Sequence, residues 1–171
     1  GAIFNGEFAP LGTGTEQEPI LITAYDPATD EILTDPIDDK PILNGQGRVG
    51  SALRIYNSSF IEINNLELTN TDGSDGDQGE LRGLHVIAED AGLVQNVVVR
   101  NLYVHDVNGK VEGKQRGGIH FNVYGEQTPT RFHNVLIEDN WVRDVGGVGI
   151  ANQSSWGGIK TDEYNPWTDL V

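Results

Sequence analysis

Histidine is scarce in this chain, 4 in 171 residues, yet two of the four sit in near-identical settings. "RGLHV" at 82–86 and "GGIHF" at 117–121 each place a histidine between two large apolar residues after a glycine, 35 positions apart. Two imidazoles titrating near neutrality can serve as general acid and general base. Arg54 holds the matching place in "ALRI" at 52–55, and Ala151 in "GIAN" at 149–152. An Arg54–His85–His120 ladder therefore adds a fixed cation for a carboxylate or an oxyanion. Asn122, two residues past His120, adds an amide for substrate binding. The same ladder can equally do no more than cover the strands that carry it.

The stretch "NGKVEGKQRGG" at 108–118 concentrates Lys110, Lys114 and Arg116 just before His120, and Arg82 stands at the equivalent place before His85. One interval earlier, "NTDGSDGDQGE" at 70–80 carries Asp72, Asp75, Asp77 and Glu80, hard oxygen ligands suited to Ca²⁺. Their spacing does not follow the EF-hand rule, and a solvated acidic tip is the alternative. Tyr103 and Trp141, aligned below, offer a flat apolar surface that can stack on a sugar ring or pack under a loop. Asn70, Asp106 and Asp144 fall together as well; adjacent carboxylates raise one pKa or recruit a cation, and singly they hold turns.

The elements that must position these residues are short alternating runs separated by Gly, Asn and Asp, with no sustained helical period. "IEINNLELTNT" at 61–71, "VVVRNLYVHDV" at 97–107 and "VLIEDNWVRDV" at 135–145 align with Ile63, Val99 and Ile137 in register, at intervals of 36 and 38 residues. Asn65, Asn101 and Asp139 then fall in one column, as turn residues able to adopt a left-handed backbone. Three short strands per repeat cannot bury an apolar face alone, but stacked copies can. Parallel strands lie about 4.8 Å apart, so matching positions become neighbours along the stack. The interval between His85 and His120 is one repeat, and the two should meet on an outer face while Leu84, Val86, Ile119 and Phe121 point inward.

The pattern "NVVVRNLYVHDV…GGIHF", with the opening "GTGTEQEPILITAYD…KPILNGQG", resembles the right-handed parallel β-helix of the pectate-lyase-like superfamily. The resemblance implies an all-β, three-sheet solenoid of about three to four coils over 1–171, with residues 1–50 as the opening coil and 51–171 as the further coils. The chain reads as a piece of a longer helix, with an open end suited to end-to-end contact with further coils or another chain. The resemblance also implies a secreted, extracellular or cell-surface bacterial protein acting on a polysaccharide or oligosaccharide, with its cleft along the histidine sheet. A uronate lyase would use a base and a cation to stabilise the enolate, and Lys114, Arg116 and Arg82 are of that type. A glycoside hydrolase would need an acid and a second carboxylate, for which Asp106, Asp144, Glu112 and Glu126 are available. A non-catalytic carbohydrate-binding module and a stacking structural β-helix are the alternatives.

Charge narrows the field. Lys and Arg number 11 against 26 Asp and Glu, a net charge of −15, which repels nucleic-acid phosphates and anionic lipid. No run of 18 apolar residues occurs, and there is no Cys to staple the fold.

Overall fold

The computed structural model describes residues 1–74, 79–109 and 115–155, together with the backbone of 167–170. Among these residues there is no helix, and sixteen strands, numbered in chain order, form four hydrogen-bonded sheets. Sheet one contains β6 (Ser51–Tyr56), β9 (Arg82–Glu89), β12 (Gly117–Tyr124) and β15 (Val148–Ser154). Sheet two contains β2 (Ile20–Ile22), β7 (Ile61–Asn64), β10 (Leu93–Arg100), β13 (Arg131–Glu138) and β16 (Trp167–Leu170). Sheet three contains β1 (Ile3–Asn5), β5 (Ile42–Asn44), β8 (Glu67–Asn70), β11 (Tyr103–Val107) and β14 (Trp141–Val142). All three are parallel, and from β6 onward the chain visits them in rotation.

The register follows the sequence alignment. Ile63, Val99 and Ile137 pair in one column of sheet two, and Leu68, Val104 and Val142 in one column of sheet three. Asn65, Asn101 and Asp139 turn the chain between these sheets with φ of 53°, 53° and 52°. That left-handed conformation suits Asn and Asp, whose short polar side chains bond locally. Inward residues of all three sheets meet in one core. Leu84, Val86, Ile119 and Phe121 are buried there, and Phe121 packs edge-on against Phe132 with centroids 5.6 Å apart. Asn70 is a fully buried polar residue: its Oδ1 accepts from Gly47 N–H, and its Nδ2 donates to the carbonyls of Val49 and Arg82.

The opening fifty residues correct the expectation of a uniform three-sheet solenoid. The fourth sheet is an antiparallel pair, β3 (Ala24–Asp26) with β4 (Glu31–Leu33). The cause is local: in "DPATD" the Asp26 carboxylate accepts from Ala28 N–H, Asp30 N–H bonds to Asp26 O, and Asp30 takes a positive φ of 62°. What stands is an all-β domain of parallel sheets with one antiparallel hairpin.

Candidate functional site

Sheet one places Arg54, His85, His120 and Ala151 in a single transverse column. Two residues along, Tyr56, Ile87, Asn122 and Gln153 form the next outward column. The sequence leads one to expect an open outer face here. Instead His120 is 1% exposed, Asn122 0% and His85 7%.

Burial changes the chemistry of the pair. His85 is pushed down to about 3, first by desolvation and then by the positive charge of Arg82. His120 falls to about 4 for the same two reasons, opposed by the carbonyls of Arg116 and Val148 that face its ring. The expectation of imidazoles titrating near neutrality is thus corrected: both are neutral hydrogen-bonding groups at physiological pH. The His85 ring N–H donates to Asn122 Oδ1 across 2.8 Å. Asn122 Nδ2, His120 Nε2 and Arg82 Nε are buried on this face without a hydrogen-bond partner among the described residues. Orphaned groups of this kind are rare in folded proteins because each carries its full desolvation cost.

The ends of the ladder are committed differently. Arg54 is paired with Glu7 at 3.2 Å. Arg82 is buried, with its guanidinium facing the Glu80 carboxylate at 3.3 Å and Gln115 Oε1 at 3.5 Å. Gln115 also accepts from the Tyr124 hydroxyl at 3.2 Å, so it ties the start of β12 to its end. Burial raises the Tyr124 phenol; the charges of Glu80 and Glu89 add to that shift and Arg82 opposes it. Glu89 in turn accepts from the Tyr56 hydroxyl at 3.0 Å. Neither Glu89 nor Tyr124 is singled out by the sequence analysis. Tyr124 continues the alternation of His120 and Asn122, and that signal could have found it. Gln115 could not have been found, because a loop residue folding back over its own strand leaves no periodic mark.

Arg116 meets the ladder through its backbone carbonyl, which faces the His120 ring, while its side chain makes no hydrogen bond or ion pair with the ladder among the described residues. Its side chain is packed at the corner between sheets three and one, where a Cβ at Gly147 would lie 2.7 Å from its Cγ. Its Nε and one terminal nitrogen have no partner. Lys114, Asp75 and Asp77 lie outside the described residues, as do Lys110 and Glu112.

The acidic loop does not gather a metal site among the described residues, where no group of three or more His, Asp or Glu side chains could hold an ion. Asp72 accepts from Ser74 and Asn108, hydrogen bonds that lower its pKa, and Glu80 is turned to Arg82.

Sheet three carries the aromatic pair. Tyr103 stacks on Trp141 with centroids 5.0 Å apart and on His105 at 4.1 Å. Arg143 lies over both Tyr103 and Trp141 and donates to the Tyr103 oxygen at 2.6 Å. Each nitrogen of His105 faces a carboxylate, Glu67 at 3.0 Å and Asp106 at 2.7 Å. Trp141 is 64% exposed. Asp106 and Asp144 both take positive φ, 47° and 50°, which is the turn-forming role.

No family model matches the chain. It is 27% identical to a lacto-N-biosidase of Bifidobacterium longum subsp. longum, over 88% of this chain and 13% of that protein. Among solved structures it is similar to the crystal structure of the GH136 lacto-N-biosidase from Eubacterium ramulus, with a TM-score of 0.73 and 25% identity over 90% of this chain and 29% of that one. The selenomethionine form of the same enzyme gives a TM-score of 0.66 at 22% identity. The chain thus spans about an eighth of the curated relative and under a third of the crystallised one. These similar proteins are glycoside hydrolases, and they replace the pectate-lyase-like superfamily as the point of resemblance; the lyase chemistry attached to that superfamily loses its support.

Proposed function

We propose that this chain is part of a glycoside hydrolase acting on a neutral oligosaccharide of the lacto-N class, with the outer face of sheet one as its sugar-binding surface. One observation carries the reading: two buried, uncharged side chains of sheet one, His120 and Asn122, each hold a hydrogen-bonding atom without a partner among the described residues. Similarity to two lacto-N-biosidases supports the substrate class. A sugar hydroxyl both donates and accepts, and so fits between the Asn122 amide N–H and a neutral His120 Nε2. A uronate bound on this column would call for a free cation there, whereas Arg82 faces Glu80 and Arg54 faces Glu7. The rotation of the chain through three parallel sheets supports reading the domain as a stack of coils that repeats this face at each circuit.

Glycoside hydrolysis needs one carboxylic acid to protonate the leaving oxygen and one carboxylate to act as nucleophile or base. In this reading Glu80 and Glu89 take those parts, since they flank sheet one, Glu80 facing the buried Arg82 and Glu89 accepting from the Tyr56 hydroxyl. His85, His120 and Asn122 bind and orient the sugar, and Arg82 sets the electrostatics of the ladder.

The test offers the protein neutral lacto-N oligosaccharides beside uronate-containing polysaccharides, with and without calcium. Readouts are reducing ends, unsaturated-product absorbance and calorimetric binding. The expected result is new reducing ends from the neutral substrates only, lowered ~10²-fold or more by Glu89→Gln or Glu80→Gln. Binding without turnover would leave a carbohydrate-binding module, and unsaturated products would restore the lyase.

A further inference from the structure

The end of the domain formed by the first strands differs from the rest of the surface. Ile3, Phe4, Phe8, Leu11, Tyr25 and Ile32 are all exposed large apolar side chains, and all fall within thirty residues of chain. Leu11 is 86% exposed and Ile3 61%. Three of these side chains, Phe4, Phe8 and Tyr25, line a cavity of about 950 Å³ that also reaches the buried side chains of Ala24, Leu43 and Leu66. A contiguous apolar basin of this kind marks an interaction surface, unlike single exposed leucines scattered over a protein.

Charge tells which partner suits it. Residues 1–44 contain nine acidic residues, Glu7, Glu16, Glu18, Asp26, Asp30, Glu31, Asp35, Asp38 and Asp39, against one base, Lys40, which is a net −8. Glu7, Asp26 and Asp39 line the cavity itself. A second copy of this chain docking through this segment would set one net −8 segment against another, and like-charge juxtaposition opposes that pairing. An anionic lipid surface meets the same repulsion. A polypeptide segment with an apolar stripe and Lys or Arg on its flanks satisfies both features, the stripe filling the cavity and the cations meeting the rim.

We infer that this end of the domain is a docking face for a basic amphipathic polypeptide segment. The inference is independent of the sugar site, which lies on sheet one and is tested with glycans.

The experiment uses the full 171-residue chain and a fluorescent Leu/Lys peptide of about 18 residues with apolar positions at i, i+3 and i+4. Controls are a scrambled peptide of equal composition and a Leu/Glu peptide with the same apolar pattern. The patterned Leu/Lys peptide should bind at least tenfold more tightly than either control, and Phe4→Asp with Phe8→Asp should remove that advantage. Both side chains are exposed, so circular dichroism of the double variant should match the parent. Equal binding of the scrambled peptide would reduce the effect to bulk charge and overturn the inference. So would binding unchanged in the double variant. Concentration-dependent dimerisation abolished by Phe4→Asp would assign the face to a second copy instead.

Discussion

Sheets one and three obey the same register rule, yet their outer faces are opposites. On sheet three every ring and charge of the His105–Tyr103–Trp141 strip has a neighbour, and the strip stands in solvent at Trp141. On sheet one the ladder is buried, its histidines are neutral, and three polar atoms lack partners. A paired, wet ladder is what a surface needs to be soluble. A dry, partly unsatisfied one holds unspent hydrogen-bonding capacity, and such places are where ligands bind. Under the proposed function this difference separates a binding face from a solvated one, although both carry histidine and aromatic residues at matching intervals.

The comparison can be broken most decisively with acid. The folded state binds fewer protons than the unfolded chain between about 4 and 6.5, because His85 and His120 are depressed to about 3 and about 4. Their contribution is complete above about pH 6.5 and is lost as the pH falls through that window, each costing up to ~1.4 kcal/mol per pH unit. Urea denaturation from pH 8 to 4 should show a His85→Gln/His120→Gln double variant losing less stability than the parent, by several kcal/mol at the acid end. Parallel curves would mean that the ladder is wet and the contrast with sheet three is false.

A smaller effect is expected from Asn122→Ala. It leaves the His85 N–H without its acceptor in a buried site, which costs about 1–3 kcal/mol, while glycan affinity falls at least tenfold. Equal glycan binding by the variant would move the sugar site off sheet one. The smallest effect belongs to Trp141→Ala, whose exposed ring should change stability by no more than about 1 kcal/mol. A larger loss, read by the same urea titration, would show that the sheet-three strip bears on the fold as heavily as the ladder does.

Much of the strand arrangement was legible because period-two alternation and turn chemistry are local properties. Ile63, Val99 and Ile137 could be put in one column, and Arg54, His85 and His120 in another, from spacing alone. The hairpin of β3 and β4 is harder to see, although "DPATD" contains its turn, because its strands are only three residues long and carry no repeat of their own. The site was legible only in part. Spacing marks the histidine column and Asn122, but it does not mark Glu89 or Tyr124, and the place of Arg116 in the loop before His120 does not tell where its side chain packs.

The sequence by itself determined which residues would be neighbours, since a fixed interval between parallel strands converts spacing into contact. It also determined the acidity of the opening forty-four residues. Only the tertiary structure decided how wet each neighbourhood is. Whether His85 and His120 are charged depends on desolvation and on the approach of Arg82, sums over atoms far apart in the chain. Whether Phe4 and Phe8 are covered depends on what packs over them. Spacing carries no record of either.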